Sequence, residues 1–285
     1  LVILPLAYVA YLPALCAWTG FTALPYLGAL REILPGGGAA AFALAAPPAF
    51  YNVMYGQTGF LIGGLIALGL LWLPVRPLVA GLVIGLASVK PHFGVLIPLA
   101  LAAGGHWRAF AAAAATVIAL IAASIALLGS EPWYAFIGTS LFHVEGFAAG
   151  AYAWPVMTSV LSTSHLAGLP LAAAWTVQAI AAGAVTAALL WAWRRGRRRP
   201  DPLGLQAAML CLATPLAVPM VYVYDLVLIV PAAAWLWADL QRSGGRPWEI
   251  AVLTGALAAT LGIYPLGAGV GMQIGALCVG ALFGL

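Results

Sequence analysis

WRAFAAAAATVIALIAASIALLG, residues 107–129, decides the fold class of this chain. No charged side chain follows Arg108 within this stretch. A helix needs about 20 predominantly apolar residues to cross the hydrocarbon core of a bilayer, and this stretch is long enough. The sequence therefore predicts a membrane-spanning helix here.

The whole chain has the same apolar character. Of its 285 residues, 65% are hydrophobic and 6% are charged, whereas a soluble domain carries about a quarter charged residues. So little charge cannot solvate the surface of a water-soluble protein, and it excludes nucleic-acid binding despite a net charge of +4. We predict an all-α, polytopic transmembrane bundle that forms one domain over residues 1–285.

Arginine clusters, glycine pairs and prolines divide the chain into about 9 to 11 membrane segments. The longer segments are predicted at residues 2–30, 57–73, 107–129, 170–193, 202–217, 222–240, 248–264 and 266–284. Three shorter ones, 39–50, 77–89 and 92–104, would reach only about 18 to 20 Å as helices. Because the hydrocarbon core is about 30 Å thick, we expect these as re-entrant or half-spanning helices that line a cavity. Residues 130–169 are expected not to span.

The arginines predict the orientation of the bundle. If the cluster at residues 194–199 is cytoplasmic, alternating segments place the other arginines on the same side, as the positive-inside rule requires. Lys90 and Asp225 then belong to the extracytoplasmic side. This alternation treats 77–89 and 92–104 as a hairpin; one kinked helix would instead place Arg76 outside.

Metal and cofactor chemistry have no support in the sequence. Cys16, Cys211 and Cys278 lie in apolar stretches, and the four histidines are scattered, so neither a disulfide framework nor a metal-ligand spacing is present. The chain also contains no glycine-rich phosphate loop and no dinucleotide fingerprint. We therefore expect neither a metal nor a cofactor.

Lys90 is the only lysine of the chain and lies between two apolar segments, in the run ASVKPHF at residues 87–93. A cation within a membrane segment costs about 2.5 to 3.5 kcal/mol on insertion scales, so an anionic partner is expected. Pro91 ends the preceding helix, and His92 adds a second donor. Both features suit a lipid-linked phosphate. The alternative is a lysine that snorkels to the outer lipid headgroups.

Two further groups of polar residues interrupt apolar segments. Asn52 and Gln57 carry amides, which donate and accept and thus suit sugar hydroxyls; alternatively, they cap the next helix. Tyr222, Tyr224 and Asp225 begin a later span, where the phenols could hydrogen-bond the carboxylate or stack on a sugar. Asp225 could instead serve only as an acid at a helix N-terminus.

The aromatic residues of 130–169 are expected to form an interfacial belt. His143 and Glu145 in this stretch are a weak candidate for an acid–base pair, because residues two apart share a face only in extended backbone. The arginines at 194–199 are expected to set topology and to contact headgroups.

Three runs resemble glycosyltransferase family 87: YNVMYGQTGFL at 51–61, GLVIGLASVKPHFGVLIP at 81–98 and TPLAVPMVYVYDLVLIVPA at 214–232. Members of this family are bacterial integral-membrane enzymes of the GT-C type, similar to polyprenol-phosphate-mannose-dependent mannosyltransferases. The resemblance implies inverting transfer of a hexose, with mannose expected, from a polyprenyl-phosphate sugar to a lipid or glycan acceptor. It also implies that the enzyme lies in the bacterial inner membrane and that the transfer takes place at its extracytoplasmic face.

The resemblance also implies roles for the candidate residues. Lys90, helped by His92, would stabilise the leaving phosphate. Asn52 and Gln57 would lie near the sugar, with Tyr222, Tyr224 and Asp225 in the same cavity. The GT-C plan has its catalytic aspartate in the first extracytoplasmic loop, so we expect that base, and the first transmembrane helix, upstream of Leu1. None of the residues 1–285 is predicted to be the catalytic base.

A lipid or small-solute transporter or flippase is the alternative function. Many transporters carry paired internal repeats with broken helices at corresponding positions. The break at Lys90 and Pro91 has no convincing counterpart in the second half of the chain, which favours the glycosyltransferase.

Overall fold

The computed structural model describes residues 4–148, 153–196 and 203–285. Within these ranges every regular element is helical, and the single β feature is an isolated antiparallel bridge between Met157 and Tyr222. The predicted all-α bundle is confirmed.

The helices of the first half are α1 (Tyr11–Ile33), α2 (Ala39–Ala45), α3 (Pro47–Met54), α4 (Gly59–Trp72), α5 (Pro77–Leu86), α6 (Leu96–Gly104), α7 (Trp107–Leu128) and α8 (Glu131–Ala148). Those of the second half are α9 (Val160–Leu166), α10 (Leu171–Gly196), α11 (Gly204–Ala217), α12 (Ile229–Ser243), α13 (Pro247–Ala259), α14 (Ile263–Val270) and α15 (Gly275–Phe283). Short 3₁₀ turns lie at Leu4–Tyr8, Ala87–Val89, Pro91–Gly94, Trp154–Val156, Val223–Leu228 and Thr260–Gly262.

Four helical stretches of the described residues are long and apolar enough to cross a membrane, namely Trp107–Leu128, Leu171–Gly196, Val223–Ser243 and Pro247–Val270. Shorter apolar helices occupy Gly59–Trp72, Pro77–Val89, Pro91–Gly104 and Gly204–Ala217. The chain is therefore a multi-pass membrane protein. The two pieces around Lys90 are short, as predicted. Residues 39–50 are divided further, into α2 and α3, because Pro47 starts a new helix.

The predicted break at Pro265 is wrong. Pro265 lies in the first turn of α14, where a missing backbone N–H is tolerated, so the helical path continues from Pro247 to Val270. The break falls instead at Gly271, whose left-handed φ of 67° ends α14. The predicted last span, 266–284, is thus divided, and only α15 follows the break.

The stretch 130–169 is largely helical where it is described, through α8 and α9, but neither helix is among the four candidate spans. The side chains of His143 and Glu145 lie outside the described part of the structure, as do Arg197, Arg198 and Arg199.

Glycines let the short helices pack closely. In lipid, helices associate through close packing rather than through the hydrophobic effect, so small residues are favoured at their contacts. A Cβ at Gly64 of α4 would meet the backbone of Tyr26 in α1, and one at Gly85 of α5 would meet Thr116 in α7. A glycine also allows α4 to approach the turn Val223–Leu228, because a Cβ at Gly59 would lie 2.9 Å from the carbonyl oxygen of Tyr224. This contact joins the two halves of the chain.

Candidate functional site

Lys90 and Asp225 form a buried ion pair. The ammonium Nζ lies 2.6 Å from the carboxylate Oδ1, and the two side chains are 17% and 2% exposed. The residues are 135 positions apart in sequence. In the described ranges the only other ion pair joins Arg242 to Asp239 on the same helix, where both side chains are more exposed. The anion observed beside Lys90 is thus a carboxylate of the protein itself, whereas the sequence predicted a lipid-linked phosphate; contact of Lys90 with a phosphate stays a prediction.

Local backbone geometry presents Lys90 to this partner. Lys90 connects the two 3₁₀ turns Ala87–Val89 and Pro91–Gly94, with φ −121° and ψ 81°. Pro91 disfavours helical geometry at the preceding residue, and this keeps Lys90 out of a continuous helix. The chain here therefore forms two short pieces with the lysine at their junction.

Asp225 is fixed by the backbone of its own turn. Its Oδ2 accepts a hydrogen bond of 3.1 Å from the N–H of Tyr222, while its own N–H donates to the carbonyl of Tyr222. The role of an acid at a helix N-terminus, one of the two alternatives for Asp225, is therefore seen. The ion pair to Lys90 uses the other oxygen.

Aromatic rings surround the ammonium group. The Lys90 Nζ lies 5.1 Å from the ring centroid of Tyr224 and 5.8 Å from that of Phe93, within the range of a cation–π interaction. Tyr224 stacks on Tyr222 at 5.4 Å and contacts Tyr55 at the same centroid distance. Burial raises the pKa of the Tyr55 phenol, so it stays a neutral donor at physiological pH. The three tyrosines form one wall beside the pair.

Asn52 and Gln57 lie next to this wall in different environments. Asn52 is 2% exposed, and its Oδ1 accepts a 2.8 Å hydrogen bond from the N–H of Gly59, the first residue of α4. The structure thus shows the capping alternative for Asn52. Gln57 is partly exposed, and within the described residues its side chain makes no hydrogen bond; its backbone N–H donates to the carbonyl of Asn52. Sugar contact by these two residues stays a prediction.

His92 follows Lys90 and is also partly exposed. Its ring contacts that of Phe93 at 4.4 Å, and it lies within electrostatic range of Lys90 and Asp225. All seven predicted site residues therefore belong to three segments that meet at one place, around residues 52–59, 90–93 and 222–225.

An apolar cavity of about 420 Å³ lies next to the segment that carries Lys90. Ser88, two residues before Lys90, and Pro91, the residue after it, belong to the lining, and Ile84, Phe110 and Val117 continue it between α5, α6 and α7. A polar group at Lys90 and an apolar chain along these helices could therefore belong to the same ligand.

The sequence did not predict the pairing itself, nor Phe93 as a neighbour of the Lys90 ammonium, nor the contact between Tyr55 and Tyr224. One observation could have suggested it: Lys90 is the only lysine, and Asp225 lies within an apolar run of the second half. Opposite charges inside membrane segments commonly compensate each other. Among the described residues, no three His, Cys, Asp or Glu side chains form a group suited to a metal ion.

The fold, with its four candidate spans and a buried ion pair next to a tyrosine wall, defines a polytopic α-helical membrane protein. The model of glycosyltransferase family 87 matches residues 1–219, so the chain belongs to this family and is a glycosyltransferase. The match includes Asn52, Gln57, Lys90 and His92 and ends before Tyr222. Comparison with the curated proteins and with the solved structures found no match.

Proposed function

We propose that this glycosyltransferase uses a polyprenyl-phosphate sugar as donor and that Lys90 contacts the donor phosphate. The observation that carries this proposal is the position of Lys90: its ammonium lies beside the tyrosine wall, and its chain neighbours Ser88 and Pro91 line the apolar cavity. A sugar, a phosphate and an isoprenoid follow one another in the same order along such a donor. Polar ring faces, a cation and an apolar groove match these three parts.

The reaction proposed is an inverting transfer. The acceptor hydroxyl oxygen bonds to the anomeric carbon, the bond from that carbon to the phosphate oxygen breaks, and the hydroxyl proton passes to a carboxylate base. Polyprenyl phosphate leaves with the additional negative charge. A fixed cation beside that oxygen stabilises the developing charge more than it stabilises the ground state, which is the role of Lys90, with His92 as an additional donor. The base is not assigned to a residue of this chain.

The sugar is proposed to lie against Tyr222 and Tyr224, with Gln57 as a hydrogen-bonding partner. Phenol rings suit the apolar face of a pyranose, and the amide of Gln57 can both donate and accept. Asn52 is 2% exposed and its oxygen accepts from Gly59, so it is proposed to hold the loop of Gln57 in place beside the sugar. We further propose that the sugar is a hexose, with mannose expected, and that a lipid or glycan acceptor receives it at the extracytoplasmic face of a bacterial inner membrane.

The test compares Lys90→Met with the double variant Lys90→Met/Asp225→Asn, in which the site stays neutral. Removal of Lys90 alone leaves a buried carboxylate without its partner, and this can destabilise the fold. The double variant should fold normally and still use polyprenyl-phosphate mannose about 100-fold less efficiently, the magnitude expected for loss of one stabilising contact to a developing charge. Sugar transfer from radiolabelled donor in membranes measures this, and Asp239→Asn is the matched control. Wild-type transfer by the folded double variant would contradict the proposal.

A further inference from the structure

We propose that Asp225 is a positioning residue that also limits how much affinity the site gains from phosphate charge, so that the phosphomonoester product binds little more tightly than the phosphodiester donor. This inference rests on the proposed function, since it concerns the phosphate bound at Lys90. It assigns to Asp225 a role other than sugar contact or proton transfer.

The geometry excludes Asp225 as the proton acceptor in the arrangement observed. One carboxylate oxygen lies 2.6 Å from the Lys90 ammonium and the other accepts the Tyr222 N–H at 3.1 Å. The side chain is 2% exposed, so an acceptor hydroxyl has no access to it. The Lys90 side chain is 17% exposed and still has ammonium protons to donate. Asp225 therefore positions the lysine, and the ammonium protons that the carboxylate does not accept remain available to a phosphate.

The pair is electrically neutral as a unit. A phosphate that contacts the Lys90 ammonium is attracted by it and repelled by the Asp225 carboxylate, which lies 2.6 Å from that ammonium. The other titratable groups that face the pair are His92 from the Pro91–Gly94 turn, Tyr222 and Tyr224 from the segment of Asp225, and Tyr55 from the end of α3. None of the tyrosines adds positive charge, so the net attraction is weak.

Substrate and product differ in phosphate charge. A polyprenyl-phosphate sugar is a diester with one negative charge, whereas the released polyprenyl phosphate is a monoester with a second pKa of about 6 and hence a charge of about −1.5 to −2 near pH 7. Beside an uncompensated lysine, the additional charge would make the product bind more tightly than the substrate. With Asp225 paired to the lysine, most of that gain is offset, so the product is not retained by its added charge.

The experiment measures binding of two short probes to the purified protein in nanodiscs by isothermal titration calorimetry between pH 5 and pH 8. Farnesyl phosphate represents the monoester, and its methyl ester represents the diester. In the wild type, the affinity for the monoester should rise by no more than about twofold as pH rises, because Asp225 offsets most of the attraction that the added charge would bring. In Asp225→Asn it should rise by about tenfold over this range, since the dianion then faces a free lysine. The diester should show no such pH dependence in either protein.

Two control variants isolate the contribution of Asp225. Asp225→Glu keeps the negative charge and should restore the wild-type pH profile, which a purely structural role would not predict. Asp239→Asn removes a carboxylate from the separate, exposed pair with Arg242 and should leave the pH profile of both probes unchanged. The comparison of the two probes on the wild type requires no substitution, so it decides the question even if Asp225→Asn fails to fold.

The outcomes separate this inference from the proposed function. If neither probe binds the wild type, or if both probes bind Lys90→Met/Asp225→Asn as tightly as they bind the wild type, the phosphate site at Lys90 is wrong. Both proposals then fail. If binding depends on Lys90 but the wild-type affinity for the monoester rises about tenfold with pH, only the charge-limiting role of Asp225 is overturned.

Discussion

The two ion pairs of the described residues join the same kinds of charge in opposite surroundings. Lys90 and Asp225 come from distant segments, meet at 2.6 Å and are largely buried. Arg242 and Asp239 lie three positions apart near the end of α12, meet at 3.3 Å and are 58% and 35% exposed. An ion pair that solvent screens contributes little to the stability of the fold. Removal of one partner from a buried pair instead leaves an unpaired buried charge, which destabilises the fold. The burial of the pair, rather than the type of its charges, therefore distinguishes a candidate functional site from an ordinary surface ion pair.

The largest expected effect concerns the stability of the buried pair. Lys90→Met and Asp225→Asn should each lower the free energy of unfolding by about 3 to 5 kcal/mol, and the double variant should recover most of that loss, because it leaves no buried charge alone. Thermal unfolding of the detergent-solubilised protein, followed by size-exclusion chromatography, measures the coupling. If the two single losses add in the double variant, the residues do not interact and the buried pair is no different from the exposed one.

A second prediction changes the packing beside the buried pair without touching its charges. Gly59→Ala would place a Cβ 2.5 Å from the Oδ1 of Asn52 and 2.9 Å from the carbonyl oxygen of Tyr224, so α4 must move away from the segment that carries Asp225. Overpacking of this kind costs about 1 to 3 kcal/mol, and we expect a corresponding fall in unfolding temperature.

Gly255→Ala in α13 is the matched control, because a Cβ there has no atom within 4 Å. Alanine is the better helix former by about 1 kcal/mol, so this variant should be neutral or slightly stabilised. Equal behaviour of the two variants would mean that the close approach of α4 to Tyr224 does not position the site.

The sequence predicted the fold through its apolar pattern, and it succeeded where that pattern is local. Residues 107–129 predict a span that the structure shows as Trp107–Leu128, and Pro91 predicts the interruption at Lys90. Pro265 misled the prediction because the effect of a proline depends on its position within a helix: the first turn tolerates what the interior does not. A local pattern cannot tell these cases apart when the helix start is itself unknown.

The site was only partly predictable for a different reason. Each of its seven residues stands out locally, as a polar group within an apolar segment, and could therefore be found. The contact between Lys90 and Asp225 depends on how α4 packs between the two halves of the chain, and no local pattern encodes such an approach. The role of Asn52 was ambiguous for the same reason, since capping and sugar binding require the same amide.

The smallest expected effect is that of a substitution in the exposed pair, for comparison with the same kind of substitution in the buried pair. Asp239→Asn removes a carboxylate that accepts from Arg242 at 3.3 Å on a water-accessible helix end, where solvent and salt screen the attraction. We expect a change in the free energy of unfolding below about 0.5 kcal/mol, declining further in high salt. Unfolding measured at low and high ionic strength tests this directly. A loss comparable to that of Asp225→Asn would show that exposure does not separate the two pairs, and the functional importance of Lys90 would then need another physical basis.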